Sequence, residues 1–182
     1  MNEAHEFGKA DGIDDPVYER FLQSQLEEGM ELARSSDLLT LHVPAFAPPH
    51  FVAEFRCRSL VRGNDGEIVE ADHFQLGVWF PTDYLRRADP FEMLRLFTPG
   101  VWHPNVSADL PLICIGRMTP GMRLVDILYQ VFEILTYHKF NPREDNALNK
   151  PACSWARANQ ERFPIDRRPL KRRAMNLEVK AL

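Results

Sequence analysis

Eleven positions separate His103 from Cys114 in the stretch "GVWHPNVSADLPLICIG", and Asn105 lies between them. A cysteine thiolate is both a good nucleophile and a good leaving group, so it can accept an acyl group and pass it on. A histidine beside a cysteine is also the pairing of a hydrolase, provided its imidazole comes within hydrogen-bond reach of the sulfur. On residue types alone Cys114 has two readings. Its neighbours Ile113 and Ile115 suit a small buried hydrophobe, whereas its place in irregular chain after Pro104 and Pro111 suits a reactive group. The other two cysteines read as structural. Cys57 continues the alternating apolar row Phe51, Ala53, Phe55, and Cys153 falls in the last helical segment.

Other chemistries find no support. There is no Gly-rich phosphate loop, no paired-cysteine zinc pattern and no His-Glu-x-x-His helix, and His5, His42, His50, His73 and His138 are scattered without ligand spacing. No metal or cofactor is expected. The net charge of −4 gives no overall pull toward nucleic acid. Between Pro164 and Leu182 six basic residues face Asp166 and Glu178, a local +4 that leaves −8 on the remainder, and a solvated helical face is the simplest account of it. Three cysteines, an odd number, fit a reducing compartment. The first fifteen residues carry no apolar core and no stretch reaches the length of a membrane span, so a cytoplasmic protein without membrane contact is expected.

The elements that must position Cys114 follow from periodicity. A chain of 182 residues suits one domain. Residues 1–14 are polar and expected to be flexible. From Asp15-Pro16 the apolar residues Val17, Phe21, Leu22, Leu26, Met30 and Ala33 recur at helical spacing. Leu39, Leu41 and Val43 then alternate, as do Phe51 to Cys57 and, after the turn "RGNDGE", Phe74, Leu76, Val78 and Phe80. "FEMLRLFT" reads as a fourth strand. Short gaps favour an antiparallel meander. Thr119 and Pro120 predict the cap and first position of a helix carrying Leu124 to Leu135, which "FNPRED" ends. A further helix is expected from near Asn146 or Lys150, through Trp155, to before Pro164. The fold class is therefore α+β: a four-stranded antiparallel meander flanked by an N-terminal helix and C-terminal helices.

"FQLGVWFPTDY", "FTPGVWHPNV", "ICIG" and "TPGMRLVDILYQVFEILTYHKFNP" together resemble ubiquitin-conjugating enzymes, in register from about Val17 to Phe163. The resemblance implies a ubiquitin-conjugating-enzyme-like catalytic domain over residues 15–163, followed by a basic tail, 164–182. It implies that Cys114 carries a ubiquitin-like modifier as a thioester and that Asn105 serves the amine attack, with His103 and Pro104 supporting the loop. It implies an activating enzyme, a ligase or direct protein substrate, and an acidic residue helping the incoming amine, for which Glu144 and Asp145 are the candidates. The chain departs from the family's pattern where "LRRADP" follows Tyr84, where the interval from His103 to Cys114 is one residue longer, and where no tryptophan follows Cys114. Such departures mark a divergent member, in the manner of prokaryotic relatives encoded beside an activating enzyme and a modifier. A non-catalytic module of the same fold, binding a ubiquitin-like protein, is the alternative. The presence of both Cys114 and Asn105 argues against it.

Overall fold

The computed structural model describes residues 15–44, 50–140 and 143–172. The expected flexible segment 1–14 and the tail beyond 172 lie outside the described residues.

Helix α1, Pro16–Arg34, begins where Asp15 accepts hydrogen bonds from the backbone of Val17 (3.0 Å) and Tyr18 (3.2 Å), with Pro16 at the first position. Its buried face is Tyr18, Leu22, Gln25, Gly29 and Leu32, a three-and-four spacing. Gly29 is required by close approach. A methyl group there would meet Leu41 Cδ2 at 2.8 Å and Leu124 Cδ2 at 2.9 Å, so the missing side chain lets α1 seat against both β1 and α3.

Four strands form one antiparallel sheet in the order β1 (Leu39–His42), β2 (His50–Phe55), β5 (Phe74–Trp79) and β6 (Leu94–Leu96). Leu39, Leu41, Phe51, Ala53, Phe55, Phe74, Leu76 and Val78 turn inward toward α1 and the helix α3, Leu124–Leu135. The turn "RGNDGE" does not join two strands of this sheet. It closes a separate hairpin of β3 (Ser59–Arg62) and β4 (Ile68–Ala71), with Gly63 N–H donating to Glu67 O and Gly66 in the left-handed region that favours glycine. Cys57 lies past the end of β2, fully buried in the bend between β2 and β3.

Two local expectations are corrected. The first half of "FEMLRLFT" is helical: Asp89 accepts from Phe91 N–H (2.9 Å) and Pro90 opens a short α2, Pro90–Met93, so only Leu94–Leu96 remain as strand. An Asp-Pro cap outweighs strand propensity over four residues. Thr119 and Pro120 do not start α3 either. That helix begins at Leu124, where the buried Gln25 side chain of α1 accepts the Leu124 N–H at 2.7 Å. A partner supplied from across the core satisfies an end that the local sequence leaves uncapped.

Helix α4, Lys150–Ala158, is capped by Asn149 accepting from Ala152 N–H. A second apolar cluster of Leu60, Trp102, Tyr137, Ala152, Ala156 and Ile165 ties it to the hairpin. Residues 164–172 form no helix. Asp166 is buried, accepts from the backbone of Arg58 (2.9 Å) and Arg168 (3.0 Å) and pairs with the Arg168 guanidinium. Leu170 is buried, and its carbonyl accepts from Ser36 at the end of α1. Two buried apolar residues, Ile165 and Leu170, draw this stretch onto the body despite its basic charge.

Candidate active site

Beyond β6 the chain crosses the β3–β4 hairpin. Arg62 N–H donates to Gly100 O (2.7 Å), Trp102 N–H to Leu60 O (2.8 Å), and Val101 bridges Val61. This anchor delivers the His103-Pro104-Asn105 turn. Val106 N–H closes the turn on His103 O (3.0 Å), and the His103 ring nitrogen Nδ1 accepts Asn105 N–H (3.0 Å). The Pro104 carbonyl accepts from Leu148 N–H (2.9 Å) and Asn149 N–H (3.2 Å), which fastens the turn to the approach of α4.

From the turn a small hairpin leads to the cysteine. Val106 bridges Ile113, Ser107 N–H donates to Leu112 O, and Cys114 N–H donates to Asn105 O at 2.8 Å. The Asn105 amide then donates to the Cys114 carbonyl at 2.9 Å. Asn105 thus grips the Cys114 backbone at both its N–H and its C=O, once through main chain and once through side chain. Ile113 and Ile115 point into the core and are fully buried while Cys114 between them is half-exposed, the alternation expected of an extended segment. Gly116, at φ 97°, turns the chain away immediately afterwards.

Burial separates the three cysteines. Burial pushes the Cys57 thiol up to about 12, with Asp166 adding to it, and burial also raises Cys153. Both sulfurs are buried and remain neutral thiols. Cys114 alone among the described cysteines reaches solvent.

His103 is fully enclosed and packs edge-on against Tyr137, ring centroids 4.4 Å apart. Burial lowers its pKa to about 3, only partly opposed by the Lys139 backbone. The ring is therefore neutral at ordinary pH. Because Nδ1 accepts from Asn105, the proton sits on Nε2, which is buried without a hydrogen bond of good geometry. Neither nitrogen is available to take a proton from a thiol, so the Cys-His hydrolase arrangement is absent. The ring braces the turn.

An open cleft of about 520 Å³ runs between residues 96–101 and 106–111, and neither Cys114 nor Asn105 lines it. Cys114 itself is partly exposed. Among the described residues no group of His, Cys, Asp or Glu side chains is placed to hold a metal, and no helix is long and apolar enough to cross a membrane.

Two solved structures bear on this architecture. One is described as a novel ubiquitin-conjugating enzyme, with a TM-score of 0.55 and 16% identity over 81% of this chain and 90% of that one. The other is the E2 domain of a Toxoplasma gondii ubiquitin conjugating enzyme, with a TM-score of 0.54 and 18% identity over 81% of this chain and 92% of that one. The fold is that of the ubiquitin-conjugating enzymes. In sequence, 88 residues are 31% identical to a protein of Arabidopsis thaliana named probable ubiquitin-conjugating enzyme E2 31. That match spans 46% of this chain and about half, 53%, of the plant protein. No family model matches.

The two acidic candidates are each held in an ion pair. Glu144 and Asp145 lie on a 3-10 turn, Glu144–Asn146, that packs beside α4. Glu144 pairs with Arg157 (2.8 Å) and Asp145 with Arg143 (3.0 Å), and both carboxylates bear on Cys153. The residue that does reach the cysteine turn is Lys139, which sequence reasoning passed over. Its ammonium lies 3.3 Å from the Ile115 carbonyl and 3.2 Å from Gln130 Oε1. The one sequence signal for it was its place just before the Asn141-Pro142 pair that ends the helical stretch.

Proposed function

We propose that this chain is a conjugating enzyme that accepts a ubiquitin-like modifier as a thioester on Cys114 and transfers it to an amine. The reading rests on one observation: Cys114, the described cysteine that reaches solvent, sits on a surface turn whose backbone is held at N–H and C=O by Asn105. The relationship to ubiquitin-conjugating enzymes supports it. In the first step the Cys114 sulfur attacks the modifier's carbonyl on a charged activating enzyme, whose own thiol leaves. In the second an amine nitrogen attacks the new thioester, the C–S bond breaks, an amide forms and the amine's proton passes to base or water.

Asn105 serves both as the clamp on Cys114 and as the amide donor toward the oxyanion of the second step. His103 and Pro104 hold the turn. The acidic helper, if the reaction employs one from this chain, comes from Glu144 or Asp145 by release of an ion pair. The partners are an activating enzyme, the modifier, and a ligase or protein acceptor, in a reducing cytoplasmic setting consistent with three cysteines in no disulfide.

Incubation with an activating enzyme, ATP and a modifier tests the proposal. Conjugating activity yields an adduct on Cys114 that thiols remove. A non-covalent complex without that adduct would instead make the chain a binding module of the same fold.

A further inference from the structure

Helix α3 ends at Leu135, and two residues later the chain does something unusual. Tyr137 takes φ 60°, in the left-handed region that bulky side chains avoid. The conformation persists because the surroundings over-determine it: the ring is buried, packs on His103 and on Phe163 (4.3 Å between centroids), and its hydroxyl donates to Trp102 O. The turn it forces brings Lys139 N–H back onto Glu133 O at 3.0 Å and aims the Lys139 side chain across to the cysteine turn. Backbone strain held by a packed aromatic beside a site is a pointer to function.

There the ammonium bridges two acceptors, the Gln130 side chain on α3 and the carbonyl of Ile115. The Asn105 amide holds the preceding carbonyl, that of Cys114. Successive carbonyls at and after the nucleophile are therefore held by two donors from different parts of the fold. We infer that Lys139 is a positioning residue for Cys114. It pins the 114–116 turn through the Ile115 carbonyl, so that the sulfur stays presented between two inward-facing isoleucines. Lys139 is exposed and its contacts are long, so the effect is modest and screened by salt. The inference deepens the conjugating reading and rests on it for its biological meaning.

The test compares wild type with Lys139→Met, which keeps the stem and removes the charge, and Lys139→Arg, which keeps the charge. The first readout is alkylation of native protein by iodoacetamide, followed by intact mass. It reports Cys114, since Cys57 and Cys153 are buried, and it requires no activating enzyme. The second is single-turnover loading and discharge, and the third a thermal melt. Lys139→Met is expected to slow alkylation, loading and discharge alike by about three- to tenfold, the scale of one ordinary net hydrogen bond at an exposed site. The melt should hold, Lys139→Arg should restore most of the rate, and the deficit should shrink as salt rises. Gln130→Leu, which removes the second acceptor, should produce a smaller deficit of the same kind. A Lys139→Met protein as reactive as wild type, a deficit that Arg fails to rescue, or one that tracks the melt and ignores salt overturns the inference. If wild type is never charged by an activating enzyme, the conjugating reading fails while the alkylation series still decides the role of Lys139.

Discussion

The buried neutral histidine under the turn makes a quantitative prediction about acid stability. His103 has a folded pKa lowered to about 3 from an ordinary 6.5, and the cause is desolvation. A lowered histidine pKa means that the unfolded chain takes up the proton first. Stability attributable to His103 is therefore full above the unfolded value and declines as pH falls from 6.5 toward the folded value. Moving from about pH 7.5 to about pH 5, the unfolded state gains RT times the logarithm of its proton-binding ratio, roughly 2 kcal/mol, while the folded state gains almost nothing. The matched variant is His103→Asn. Its side-chain oxygen can still accept Asn105 N–H in place of Nδ1, but nothing there titrates. The variant loses the ring's packing on Tyr137 and should be less stable at pH 7.5 by about 1–3 kcal/mol. Denaturant unfolding at the two pH values, with m-values compared, measures both effects. Wild type should lose about 2 kcal/mol more than the variant over this interval, which cancels contributions from the other histidines. Equal losses in the two proteins would show that the ring is already charged, or hydrated, in the folded state, and would refute the account of the turn as a dry brace.

Further outcomes follow from the same geometry. Thiol reagents should modify native Cys114 well before Cys57 or Cys153, read by mass after proteolysis, and preferential labelling of Cys57 would remove Cys114 from its role. Cys114→Ser should replace the thiol-labile adduct with an oxygen ester that survives reductant, because an alkoxide leaves less readily than a thiolate. Asn105→Ala should slow discharge onto amines by roughly two to three orders of magnitude. It should affect loading less, and lower stability by about 1–3 kcal/mol because the Cys114 carbonyl loses its donor. Equal loss in both steps with a lowered melt would reduce Asn105 to a clamp. Asp166→Ala should cost roughly 2–4 kcal/mol, since the backbone N–H groups of Arg58 and Arg168 lose their acceptor. Burial would raise the Asp166 pKa, but hydrogen bonds from Arg168 and Arg58 hold it well below the usual carboxylate range. Its stabilisation is thus present above the unfolded carboxylate pKa and lost as pH falls below it, outside the interval from about pH 7.5 to about pH 5 used for His103.

Much of this protein was legible in the order of its residues wherever the cause is local. The three-and-four spacing of Leu22, Leu26, Met30 and Ala33 specifies α1 whatever it packs against, and the alternation of Phe74, Leu76 and Val78 specifies β5. The His103-Pro104-Asn105 turn and its hairpin are closed by bonds between residues at most nine positions apart, whereas residue types alone left Cys114 with two readings and only the family resemblance chose between them. What needed the tertiary structure has a partner remote in sequence. Helix α3 starts at Leu124 because Gln25, 99 residues away, accepts its first N–H, so no inspection of "MTPGMRL" could place that end. Residues 164–172 lie along the body because Asp166 finds the Arg58 N–H 108 residues away. Glu144 looks available in sequence and is met by Arg157 from α4. Lys139, one charge among 26 acidic and 22 basic residues, acquires its meaning from a strained tyrosine and a carbonyl 24 residues upstream. Periodicity is carried by the chain itself. The choice of which donor meets which acceptor across the core is an energy difference between whole folds, and only the assembled structure resolves it.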